Sequence, residues 1–186
     1  MANVEAAFRN LHQDLLDGCK AGDQKAQFQI YKLYYKAMYN TSLRIVNDTM
    51  EAEDIMQESF LSAFEKIDTY SGTVSFGAWL KKIVINRSLD ALSRRKAIFE
   101  DIDSHVGIRD ESNEDILRKE EMDVRDEEVK EAINRLPDGY RIILSLYLLE
   151  GYDHDEIAEI LSISSSTSRS QLSRAKQKLL GELKNR

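Results

Sequence analysis

Proline occurs once in this 186-residue chain, at Pro137, and glycine only eight times. Sandwiches and barrels of β-strands need many tight turns, which draw on those two residues. The chain is therefore expected to fold as packed helices, and its apolar spacing agrees. Phe28, Tyr31, Tyr35, Met38, Ser42 and Ile45 recur at steps of three and four, with Tyr34 and Tyr39 widening the stripe. Ala52, Ile55, Met56, Ser59, Phe60, Ala63, Phe64 and Ile67 form a second, unbroken stripe. Asp48 or Thr49 caps its start, and Asp48 with Glu51 has capping-box spacing.

The turn-forming run Asp68-Thr69-Tyr70-Ser71-Gly72-Thr73 ends that pattern. Phe76 to Lys96 follows, with the only Trp, Trp79, and six cations (Lys81, Lys82, Arg87, Arg94, Arg95, Lys96) against one acid, Asp90. At helical spacing Trp79, Lys82, Asn86 and Asp90 share one face, and Leu80, Ile83, Val84, Arg87 and Ala91 fall near the other. A ring, an amide and cations on one rigid face suit stacking on a nucleic-acid strand and neutralising it. The same pattern suits an ordinary amphipathic helix with solvated cations.

Charge divides the chain. Residues 97–128 carry 13 acidic and 4 basic side chains, whereas 1–96 and 129–186 are each close to neutral at +1. The net charge of −7 thus belongs to the middle and does not argue against DNA binding, because phosphates respond to local potential. Apolar periodicity is also lost there, which predicts an acidic linker with at most a short helix near Glu114–Val124.

Periodicity returns with Val129, Ala132, Ile133 and Leu136, up to a turn signal at Pro137-Asp138-Gly139. Ile142, Ile143, Leu146 and Tyr147 mark the next helix, closed by Gly151. Asp153 and Glu156 form a capping box for a short helix with Ile157, Ala158, Ile160 and Leu161 on its apolar side. After Ser162-Ile163-Ser164, a longer helix runs from about Ser165 to Leu183 with Ser168, Leu172, Ala175 and Leu179 inward. A short capped helix, a tight turn and a longer helix make a helix-turn-helix. Ser166, Arg169, Ser170, Ser173, Arg174 and Gln177 are expected outward, and small hydroxyl residues at the start leave room to enter a groove. A plain helical hairpin with a basic face is the other reading.

Asp54, Gln57, Glu58 and Leu61 lie opposite Ile55, Met56 and Phe60, as a solvated face or as a docking ridge for a protein. Catalytic signals are sparse. His12, His105 and His154 are scattered, no phosphate-binding glycine motif occurs, and the acids near Asp153 are explained by capping. No cofactor, metal or catalytic residue is expected. A lone Cys19 fits a reducing cytoplasm, and neither a signal peptide nor an apolar run of about 20 residues is present for membrane insertion.

Two blocks together resemble one family. AEDIMQESFLSAFEKI (52–67) with FGAWLKKIVINRSLDALSRRK (76–96) is similar to conserved region 2 of bacterial sigma factors of the extracytoplasmic-function group. EAINRLPDGYRIILSLYLLEGYDHDEIAEILSISSSTSRSQLSRAKQKLL (131–180) looks like their region 4. The resemblance implies an all-α protein of two small helical domains, region 2 over 10–96 and region 4 over 124–186, with a flexible acidic linker at 97–123. It implies a subunit of RNA polymerase that selects promoters and helps open them, without catalysis.

The resemblance also implies roles. Asp54, Ile55, Gln57, Glu58, Phe60 and Leu61 would dock on the clamp helices of the polymerase largest subunit, and region 4 would meet the β-subunit flap. Tyr70, Ser71, Gly72 and Phe76, with Trp79, Lys82 and Asn86, would capture and hold the opened −10 element, while Arg87, Arg94 and Arg95 contact phosphates. Ser166, Thr167, Arg169, Ser170, Gln171, Arg174 and Lys178 would meet the −35 duplex. An anti-sigma protein is a common partner in the family. Departures occur at Ser162–Ser166, where Gly or Pro is common, at Ser168 for an aliphatic residue and at Gln171 for a base. A stand-alone helix-turn-helix regulator that does not bind core polymerase is the rival reading, and a helical enzyme with such an appendage is the other. The acidic segment 97–128, at −9, is expected to compete with DNA for basic surfaces or to thread a cationic channel.

Overall fold

A computed structural model of the chain describes residues 12–94 and 126–184. The chain divides into two compact units, Met1–Arg94 and Arg95–Arg186. Every regular element among the described residues is helical. The linker, the expected short helix at Glu114–Val124, and Arg95 lie outside the described residues.

The first unit holds α1 (Gln13–Lys20), α2 (Gln24–Val46), α3 (Thr49–Glu65), a 3-10 turn (Ile67–Thr69) and α4 (Phe76–Arg94). Asp23 caps α2 by accepting from the Lys25 amide at 2.8 Å. Asn47, at φ 54°, ends it in the left-handed conformation that Asn tolerates, and its amide donates to Leu43 O at 2.8 Å. The following residue, Asp48, caps α3 through the Glu51 amide at 2.9 Å, so two residues reverse the chain.

Helices α2, α3 and α4 enclose a core of Ile30, Met38, Met56, Phe60, Phe76, Leu80 and Val84. Ser42 of α2 and Ser88 of α4 join inside it, their hydroxyls 3.0 Å apart and both fully buried. Close approach is built in at Gly77, where a Cβ would stand 2.9 Å from the Tyr34 ring.

The α2 stripe corrects the expectation drawn from its aromatics. Ile30 is fully buried, whereas Phe28, two residues and about 200° away, is 58% exposed beneath the Lys32 ammonium. Tyr31 and Tyr35 are half-buried and stack on each other at 5.5 Å. The helices packed on α2, namely α1, α3 and α4, bury its Ile30 side and leave Phe28 in solvent.

The second unit holds α5 (Asp126–Arg135), α6 (Asp138–Leu144) leading into a π-turn (Ser145–Leu149), α7 (His154–Leu161) and α8 (Ser165–Lys184). Pro137 flanks the start of α6, and Asp138 and Gly139 are its first turn rather than a free-standing turn. The missing proline amide costs nothing at a helix start. Arg141 is 2% exposed yet satisfied, pairing with Asp138 and donating to Leu136 O at 3.3 Å. Gly151, at φ +79°, closes the π-turn as its spacing predicted. Leu172, Ala175 and Leu179 of α8 are buried in this unit together with Ala132, Ile133, Leu136, Ile142, Ile143, Leu144, Leu146, Ile157 and Leu161.

Candidate nucleic-acid interface

In the second unit the helix-turn-helix is built from caps. Asp153 accepts from the amides of Asp155 and Glu156 at 2.9 and 2.8 Å, and Glu156 returns a bond to the Asp153 amide at 2.9 Å. Ser162 ends α7 at φ 55°, and the Ile163 amide reaches back to Ala158 O at 3.0 Å. That six-to-one bond is the Schellman closure, made here with Ser in the place usually taken by Gly. The Ser164 hydroxyl then caps α8 by accepting from the Thr167 amide at 3.0 Å.

Along α8 the structure separates two faces. Ser166, Arg169, Ser170, Ser173, Gln177 and Lys178 are exposed, and Thr167 and Arg174 are half-exposed. Ser168, Gln171, Leu172, Ala175 and Leu179 are buried. Gln171, at 8% exposure, therefore sits on the inner side and its amide is not on the face of Arg169 and Ser170. Ser168 is fully buried because the His154 ring supplies it a partner, Nδ1 to Oγ at 2.9 Å. Ser165 Oγ also donates to Asp155, so two side-chain bonds tie α7 to α8.

His154 stacks on Tyr147 at 5.0 Å, and the Lys176 ammonium stands 5.5 Å from that tyrosine ring. Burial, then the cations of Arg169 and Lys176, holds the His154 imidazole below its ordinary range, with Asp153 and Asp155 opposing. Neither the pairing nor this role was visible at the sequence level, where His154 stood alone. The one signal was the polar residue at Ser168 on an apolar face.

In the first unit, the loop before α4 turns at Gly72, φ +76°, and is held by the Tyr70 hydroxyl donating to Val74 O at 2.7 Å. Ser71, Thr73 and Ser75 are exposed around it, and the Ser75 hydroxyl caps α4 at the Ala78 amide, 3.2 Å away. Tyr70 and Phe76 are 6% and 2% exposed, so their rings support the loop from beneath rather than face a ligand. Half-exposed Trp79 lies against both, at 5.4 and 5.6 Å between ring centroids. Lys82, Asn86 and Asp90 continue its line on the exposed side of α4. Arg94 is exposed at the end of α4, and Arg87 is drawn sideways to Glu58 of α3.

The α3 ridge is divided in the same way. Asp54, Gln57, Glu58 and Leu61 are exposed, Leu61 at 65%, while Ile55 and Phe60 are buried behind them. Met50, one turn before Asp54 and 78% exposed, extends the ridge and was missed. Its i, i+4 relation to Asp54 was the available signal. Among the described residues no group of three His, Cys, Asp or Glu could hold a metal ion, and no helix is long and apolar enough to cross a membrane.

Comparison with known proteins places both units. The family model for Sigma-70 region 2 matches residues 30–98, and that for Sigma-70, region 4 matches residues 126–179. The chain is 29% identical over 175 residues to the RNA polymerase sigma-H factor of Pseudomonas aeruginosa, covering 89% of this chain and 90% of that protein. It is also 29% identical over 175 residues to the ECF RNA polymerase sigma factor SigW of Bacillus subtilis, covering 89% and 93%. The fold resembles that of the sigma factor RpoE crystallised with the anti-sigma factor NepR from Bartonella quintana. There the TM-score is 0.56 at 24% identity, over 84% of this chain and 95% of the other. CnrH, solved in complex with the cytosolic domain of CnrY, shares the fold at a TM-score of 0.57 and 20% identity, over 94% and 97%.

Proposed function

The chain belongs to the sigma-70 family, in its extracytoplasmic-function group, and directs transcription by RNA polymerase; from that premise we propose how its surfaces divide the promoter. The region 4 domain, over 124–186, reads the −35 duplex through α8. Arg169 and Arg174 are suited to guanine edges, and Ser166, Thr167, Ser170 and Lys178 to phosphates and smaller contacts. Gln171 acts from behind, in the packing of α8.

The region 2 domain, over 10–96, takes the −10 element as it opens. The loop around Ser71 and Gly72 captures an unstacked base above the Tyr70 and Phe76 rings. Trp79, Lys82 and Asn86 hold the single strand, and Arg94 and Arg95 meet its phosphates. The α3 ridge of Met50, Asp54, Gln57, Glu58 and Leu61 docks on the clamp helices of the largest polymerase subunit. Residues 97–123 join the units, and the β-subunit flap receives the second. The protein works in the cytoplasm and makes no covalent change itself.

One observation carries this reading: a region 2 match and a region 4 match stand in order in one chain. A stand-alone regulator has no need of the first. Structural neighbours were solved with an anti-sigma factor or with another protein's cytosolic domain, so a cognate inhibitory partner belongs to the same proposal. The test is in vitro transcription from a genomic library by core polymerase with and without the chain. Start sites that depend on the chain are expected. Promoter footprints without core polymerase, and no new start sites with it, would overturn the reading.

A further inference from the structure

His154 is the first residue of α7, and Ser168 lies in the first turns of α8. Their bond of 2.9 Å spans the helix-turn-helix, and the second face of the contact is the Tyr147 ring of the π-turn. The imidazole thus joins α7, α8 and the π-turn at one point. A buried serine hydroxyl without a partner would destabilise this packing, so the histidine is what makes Ser168 tolerable on the inner face.

We propose that His154 positions the recognition helix through Ser168 and takes up a proton when duplex DNA binds that helix. The proposal rests on the reading of α8 as the −35 helix. A hydroxyl can donate to Nδ1 or accept from it, so the bond to Ser168 survives both charge states. The groups facing the ring are Arg169 and Lys176 from α8, Tyr147 from the π-turn, and Asp153 and Asp155 from its own end. In the free chain, burial and the two cations favour the neutral ring. Phosphates drawn to Arg169 cancel part of that repulsion and favour the imidazolium, so binding and protonation reinforce each other. A Ser-His clamp therefore makes promoter affinity depend on pH where an apolar contact would not.

The test uses the full chain, with a fluorescein-labelled duplex enriched from a random pool by the wild-type chain bound to core polymerase. Anisotropy is read from about pH 7.5 to about pH 6 at constant ionic strength, across the range in which histidine titrates. Wild-type affinity is expected to rise roughly threefold to tenfold as pH falls, within the limit of one proton. His154→Ala should lose affinity at the upper pH and lose the slope. His154→Asn, whose amide can reach Ser168 but does not titrate, should recover most of that affinity and none of the slope. Equal slopes in wild type and His154→Asn would overturn the proposal, as would a flat wild-type profile on an enriched duplex. Failure to enrich any duplex would instead remove the −35 reading of α8, and this inference with it.

Discussion

The guanidinium of Arg87 on α4 donates to the carboxylate of Glu58 on α3, Nη1 to Oε2 at 2.9 Å. The two residues come from different proposed surfaces, one for phosphates and one for polymerase. Joined, they partly neutralise each other; on the proposed assignment, a polymerase helix that engages Glu58 would release Arg87 toward the strand. Both side chains are substantially exposed, at 37% and 64%, so the pair adds little to stability.

Glu58→Gln is accordingly expected to change unfolding free energy by less than about 0.5 kcal/mol. It should weaken binding to core polymerase while strengthening binding of the free chain to single-stranded −10 DNA. A double-mutant cycle with Arg87→Ala, read by core affinity, measures the coupling. Strict additivity would show that the pair does not link the two surfaces.

Along α8 the two faces predict different failures. Arg174→Ala should cost about 1–3 kcal/mol at the −35 site and relax specificity at one position if it reads a base. Gln171→Ala, on the buried face, should lower the unfolding midpoint and weaken all duplexes alike. A base-specific loss from Gln171→Ala would place its amide in the groove after all.

Inside the first unit, Ser88 Oγ donates to Val84 O at 2.8 Å, which leaves Ser42 as the donor in their 3.0 Å contact. Ser88→Ala should therefore cost about 1–3 kcal/mol, because a buried donor loses its acceptor. Replacing both serines by alanine should cost less than that single change. Chemical denaturation of the three variants checks the order.

The lowered pKa of His154 fixes the sign of a stability effect. Folded chains bind this proton less readily than unfolded ones. The contribution is thus fully present above the unfolded value of about 6.5 and is lost as pH falls through it toward the folded value. Wild type should lose more of its denaturation midpoint between about pH 7.5 and pH 5.5 than His154→Asn does. Equal losses would show that the ring is not held neutral by its surroundings.

Ser162 occupies the left-handed region at φ 55°, where a side chain is strained. Ser162→Gly is expected to stabilise the second unit by about 0.5–1 kcal/mol with duplex affinity unchanged, because the Ile163 to Ala158 closure is retained. Thermal unfolding and anisotropy together check it.

Local chemistry was legible in the chain itself. Asp48 before α3, Asp153 with Glu156 before α7, Gly151 after the π-turn and the stripe of α3 are contacts between near neighbours, and residue spacing carries them. So did the order of the two family blocks, which determined what the protein does. Tertiary structure alone decided which angle of each helix became the inside. It turned Phe28 out and Ile30 in, drew Tyr70, Phe76 and Gln171 beneath the surfaces assigned to them, and joined Arg87 to Glu58 and His154 to Ser168. Helical periodicity relates side chains to one another around one axis, but the rotation of that axis is set by whatever packs against it. Partners 14 or 29 residues apart leave no mark in a spacing of three and four.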